Sequence, residues 1–140
     1  MGSTAEEPGI PEGMARLRCT DSVEAAYARL RAEVVRRGLT IFAEIDFARD
    51  AAAAGLSMPA SRLLVFGNPR AGTPLLQASP TIALDLPLKI AVWQDAAGAT
   101  WLGYNAPDYL GSRHGVPVAL LPNIAAIRLI AESAAGAGAA

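Results

Sequence analysis

The 140 residues are 52% hydrophobic and only 18% charged, a composition of folded domains rather than disordered chains. Twelve basic against thirteen acidic residues leave a net charge of −1, so no summed field draws in nucleic acid or an anionic membrane, and neither partner is expected. One cysteine and one histidine exclude a structural zinc site, a Cys-x-x-Cys redox pair and an intrachain disulfide, and no metal site is expected; no cofactor is identified.

Residues 1–13 include Glu6, Glu7, Pro8 and Pro11 and lack the basic and apolar regions of a signal peptide, so a flexible leader is expected there. A single domain over 14–132 and an Ala/Gly tail over 133–140 complete the division. Pro117, Pro122 and Arg128 interrupt Val116 to Ala131, the one candidate for a membrane span. With a lone Cys19 suited to a reducing compartment, this predicts a cytoplasmic protein.

Met14 to Cys19 is expected as a short strand. Asp21, three residues before Glu24, signals the start of a helix whose Val23, Ala26, Tyr27, Leu30 and Val34 share one face until Gly38 stops it. Thr40 to Asp46 alternates Ile41, Ala43 and Ile45 against Phe42, Glu44 and Asp46, as in a strand with one wetter face. A short alanine-rich helix over Phe47–Ala54 ends at Gly55. Leu63 to Phe66 reads as an interior strand that Gly67, Asn68 and Pro69 end abruptly. Thr73 before Pro74 predicts the N-cap of a short helix over Pro74–Ser79. Leu88 to Gln94 and Thr100 to Tyr104 form a hairpin around Asp95–Ala99, and its Trp93, Trp101 and Tyr104 offer an aromatic wall for core packing, a pocket or a subunit contact. Pro107 opens a helix reaching His114 and stopped by Gly115. Asn123 is expected to cap a last helix whose Ile127, Ile130, Ala131 and Ala134 lie together. That stripe also suits a crossing to a second subunit, and a homodimer is expected. The order is strand, helix, four strands with helical insertions, helix: an α+β fold with an antiparallel sheet and helices on one face.

Ile45-Asp46, the run Arg62 to Pro69, Gly72-Thr73-Pro74-Leu75, the run Leu84 to Lys89, and Asn105-Ala106-Pro107 through His114-Gly115 together resemble the domain-of-unknown-function family 302. The resemblance covers roughly Ser22 to Gly115. It implies a topology like that of the TATA-binding protein, which does not bring DNA binding with it. Phe47 stands where that family often has a histidine after the Ile-Asp pair, so no metal or proton-transfer role of such a histidine carries over.

The segment Gly67 to Pro74 lies between a strand and a helix N-terminus, where free N–H groups and Arg70 suit an anion, although no P-loop lysine is present. If Asp46 ends a strand beside the one ending at Asn68, then Asp46, Asn68, Arg70 and Thr73 converge at one sheet edge. Three readings follow: a module binding a small anionic or polar ligand at that corner, an enzyme using Asp46 as acid or base there, or a structural domain in which these residues only shape the turn. Asp85 and Lys89 are expected as an ion pair or cap, and His114 as a helix C-terminal group. A serine triad using His114 is disfavoured, since no Gly-x-Ser-x-Gly elbow is present and Ser112 is too close to it in sequence to be persuasive, and Cys19 reads as a buried hydrophobe.

Overall fold

The computed structural model describes residues 9–136. Five strands, β1 (Met14–Arg18), β2 (Thr40–Asp46), β3 (Ser61–Gly67), β4 (Leu88–Gln94) and β5 (Thr100–Asn105), form one sheet in the order β1-β5-β4-β3-β2. Every neighbouring pair is antiparallel. The helices are α1 (Val23–Arg36), α2 (Phe47–Ala53), α3 (Pro69–Ala78), α4 (Pro107–His114) and α5 (Ile127–Ala135), with short 3-10 helices at Pro80–Leu84 and Val118–Ile124. This is the expected α+β architecture.

Alternation along the strands decides which face α1 and α5 cover. Leu64 and Phe66 of β3, Ile90 and Val92 of β4, and Leu102 and Tyr104 of β5 are buried against Ala26, Leu30 and Val34 of α1 and Ile127, Ile130, Ala131 and Ala134 of α5. Trp93 and Trp101, directly opposite one another across β4 and β5, therefore lie on the other face, so the three hairpin aromatics do not form one wall. Arg16 stacks on Trp101 at 4.0 Å, and the indole N–H donates to Asp95 at 2.8 Å. A bulge between Ile41 and Ala43 breaks the even alternation of β2, leaving Ile41 packed on the helix-covered core and Phe42 half exposed.

The helix ends depart from expectation in instructive ways. Ser22, not Asp21, caps α1, accepting from the Ala25 N–H at 3.1 Å, because Asp21 is held by Arg29 through two 2.7 Å bonds. Asn68 caps α3 with Pro69 at its first turn, so the helix starts before Thr73 and contains Pro74. Pro74 has no N–H for the carbonyl one turn earlier. Asn123 lies inside the second 3-10 helix and donates to the Ala71 carbonyl at 3.1 Å instead of capping α5. The apolar stripe of α5 packs on α1 of the same chain and is not left open for a second subunit.

The end of α5 also runs past the expected boundary of the tail. Ala134 and Ala135 are fully buried, the Ala134 carbonyl accepts from Arg29 and the Ala135 carbonyl from the Thr20 N–H. The rest of the expected tail, 137–140, and residues 1–8 of the expected leader lie outside the described residues. Within the leader, Gly13 has a fixed place: at φ +80° it sits under Tyr109, and a Cβ there would lie 2.1 Å from the ring. Val118–Ala135 has the length and hydropathy of a membrane span, but the second 3-10 helix and α5 divide it.

Candidate functional site

A second apolar cluster, Leu75, Ile82, Leu110, Val116 and Ile124, gathers α3, α4 and the 3-10 helices at the end of the sheet where β3 finishes and β4 begins. Leu88 belongs to the borders of both clusters. Between them lies a cavity of about 290 Å3. Leu39 and Phe42 line it from the β2 side, Leu76 from α3, Leu86 and Leu88 from the approach to β4, and Ile127 and Ile130 from α5. Asn68, Thr73 and Asn123 supply the polar side chains, and no charged residue is among its lining.

The local structure explains both the opening and its neutrality. Gly67 and Asn68 end β3, and Asn68 turns the chain into α3 by accepting the Arg70 N–H at 3.0 Å on its side chain. The Asn68 backbone carbonyl takes the N–H groups of Ala71 and Gly72, both at 2.9 Å, and Pro69 has none to offer. The start of α3 is thus satisfied by its own cap, where free donors for an anion were expected. Asn68 Oδ1 is occupied, leaving its amide NH2 to donate; Asn123 Nδ2 is occupied by Ala71, leaving its Oδ1 to accept. These groups and the Thr73 hydroxyl suit an uncharged polar head.

The expected four-residue corner does not assemble. Asn68 and Thr73 line the cavity, whereas Arg70 is exposed and outside it. Asp46 is at the far end of the β2–β3 ladder: it faces Arg62, while Thr40 faces Gly67. Antiparallel pairing puts the end of one strand beside the beginning of the next, so Asp46 and Asn68 are separated by about 20 Å of strand. Asp46 caps α2 instead, accepting from the Arg49 N–H at 2.9 Å, with Arg62 Nε 3.9 Å from its other oxygen. Arg62 lies over the Tyr27 ring at 3.9 Å and donates to Glu24 at 2.7 Å. Tyr27 in turn donates to Glu44 at 2.7 Å; burial, then that hydrogen bond, pushes its hydroxyl up to about 12.

Of the two arrangements expected for Asp85 and Lys89, an ion pair or a cap, the side-chain ion pair is not formed and Lys89 instead bonds the backbone at the end of the first 3-10 helix. Lys89 donates to the carbonyls of Asp85 and Pro87 at 3.2 and 2.9 Å, and burial pulls its pKa down. The Asp85 carboxylate receives Arg113 at 2.8 Å and His114 Nε2 at 2.5 Å. Burial pushes the Asp85 pKa up, but the His114 bond and the Arg113, His114 and Lys89 charges outweigh it and hold the carboxyl below its ordinary value. The other ring nitrogen of His114 lies 2.9 Å from the Thr81 hydroxyl. Thr81 is 33 residues from His114 and carries no local sequence signal that would pair the two. Cys19 is buried, and that burial pushes its thiol pKa up.

A family model described as domain of unknown function DUF302 matches residues 15–132. The crystal structure of an uncharacterized conserved DUF302 protein from Bacillus stearothermophilus is similar in fold, with a TM-score of 0.71 at 18% identity, covering 89% of this chain and 96% of that one. A curated protein named fluoride-specific ion channel FluC 1, from Brucella suis biovar 1 (strain 1330), is 36% identical over 107 residues, 76% of this chain and 42% of its own length. FluC 1 of Brucella abortus biovar 1 (strain 9-941) matches at 36% over 107 residues, 40% of its length. The chain spans about two fifths of the length of these curated relatives.

Proposed function

The chain belongs to the DUF302 family, and from that premise we propose that it is a binding module for a small, uncharged, largely apolar molecule with one hydrogen-bonding head. The cavity between the two apolar clusters carries this reading: its walls are leucine, isoleucine and phenylalanine, and its polar side chains are two amides and a hydroxyl. An anion placed there would lose its hydration with no cation in the lining to replace it. A carboxamide or alcohol loses less, because the Asn68 amide donates and the Asn123 Oδ1 accepts.

Thermal unfolding with benzamide and with benzoate tests this, since the two differ in charge far more than in size. A ligand of the folded state raises its stability according to its concentration over its dissociation constant. Benzamide is expected to raise the melting temperature and benzoate to leave it unchanged, with Ala126→Leu, which fills the cavity, removing the benzamide effect. Equal shifts from both compounds, or a benzamide shift retained in Ala126→Leu, contradict the reading.

A second reading follows the name of the curated relatives: the shared segment serves a fluoride-specific channel as an attached domain. It is supported by 107 aligned residues that cover most of this sheet-and-helix domain and a minority of the relative. Sodium fluoride, with sodium chloride as control, is the added arm of the same experiment. A shift with fluoride alone favours this second reading.

A further inference from the structure

The cluster around His114 lies outside the cavity lining and has no part in the binding proposed above. His114 has a side chain 4% exposed and is the last residue of α4; Asp85 follows the first 3-10 helix and Thr81 lies within it. Asp85 accepts from His114 Nε2, and the tautomer of the ring that serves as a base carries its proton on that nitrogen. In that tautomer Nδ1 presents a lone pair to the Thr81 hydroxyl, 2.9 Å away, and Thr81 donates. A hydroxyl bonded to an imidazole that a partly buried carboxylate orients has the chemistry of an activated nucleophile. Thr81 is exposed, so an incoming molecule reaches its hydroxyl from solvent. Leu84, three residues on and 76% exposed, projects from the same side of the 3-10 helix and offers an apolar rest.

We propose that Thr81, His114 and Asp85 form a second site, in which Thr81 is an acyl-accepting nucleophile toward small uncharged esters with an apolar group. Thr81 Oγ bonds to the acyl carbon while its proton passes to His114 Nδ1. The tetrahedral adduct collapses with cleavage of the ester C–O bond, and the leaving alcohol takes the proton from His114. Water then attacks the acyl-threonine, giving its proton to His114, which returns it to Thr81 Oγ as the carboxylic acid departs. Asp85 is a positioning residue that holds the ring, and Arg113, on the same carboxylate, helps keep Asp85 ionised. Lys89 is bonded to backbone carbonyls and leaves His114 as the base.

The probe is p-nitrophenyl acetate with the full chain. The expected result is a burst of p-nitrophenolate equal to the protein present, with the acetyl group mapped to Thr81 by peptide mass spectrometry. Thr81→Val, which keeps the shape and removes the hydroxyl, is expected to abolish the burst and lower turnover by about 10²–10⁴-fold. Thr81→Ser is expected to restore it, and Asp85→Asn to lower it and alter its pH profile. Thermal unfolding of each variant separates loss of chemistry from loss of fold. No release above buffer, an acetyl group on another residue, or Thr81→Val acylated as fast as wild type overturns the proposal.

Discussion

The two apolar clusters are built from the same residue types and behave differently. Under α1 and α5 the sheet is closed by long apolar stripes, and Leu30, Val34, Leu64, Phe66, Ile130 and Ala131 have essentially no exposed surface. Around α3, α4 and the 3-10 helices the pieces are short, interrupted by Pro74 and Pro122, and meet the first cluster across an open cavity. Interiors pack to crystal-like density where long regular elements face each other. Short elements broken by proline leave space, and space lined by apolar groups is what a ligand uses.

The comparison predicts unequal costs for equal deletions. Leu30→Ala, in the closed region, is expected to lower stability by about 3 kcal/mol in denaturant unfolding, since the surrounding helices and sheet have little freedom to fill the gap. Gly13→Ala ranks next, at about 2 kcal/mol, because a side chain at φ +80° must also displace the Tyr109 ring. Leu76→Ala, facing the cavity, is expected to cost about 1 kcal/mol, as its side chain already borders empty space. If Leu76→Ala costs as much as Leu30→Ala, the two regions are equally packed and the contrast is lost.

The regular region was the legible one. Apolar spacing over Val23 to Val34 and over Ile127 to Ala134, and the hairpin around Asp95–Ala99, carry their structure in local periods, and all are in the fold. Helix caps were less legible, because Asp21 and Ser22 are both good caps and the choice depends on Arg29, eight residues away. At the candidate site, Asn68 and Thr73 were found from turn chemistry and do line the cavity. Asp46 was misplaced because the direction of strand pairing is not written in β2 or β3 alone. The walls contributed by Leu39, Leu86 and Ile130, and the Asn123 contact to Ala71, come from segments far apart in sequence.

The smallest expected effect belongs to the helix that closes the regular region. Hydrogen bonds from Arg36 and then Arg37 hold Glu33 down to about 2, against an ordinary value of 4.5. A folded value below the unfolded one contributes stability above about pH 5 that is lost as the pH falls toward 2. Glu33→Gln is expected to cost about 0.5 kcal/mol at neutral pH, in keeping with ion pairs near a surface, and to flatten the acid side of the stability curve. An unchanged acid limb in that variant would show that other carboxylates govern acid unfolding.

The binding account turns on whether the cavity is where a neutral molecule goes. Methyl-resolved NMR of the wild-type chain during titration with benzamide reads this directly. Saturable shifts confined to Leu76, Leu86, Ile124, Ile127 and Ile130, with Leu30 and Leu102 undisturbed, are the predicted result. No shifts at those methyls, or shifts spread over the α1 core, would contradict it.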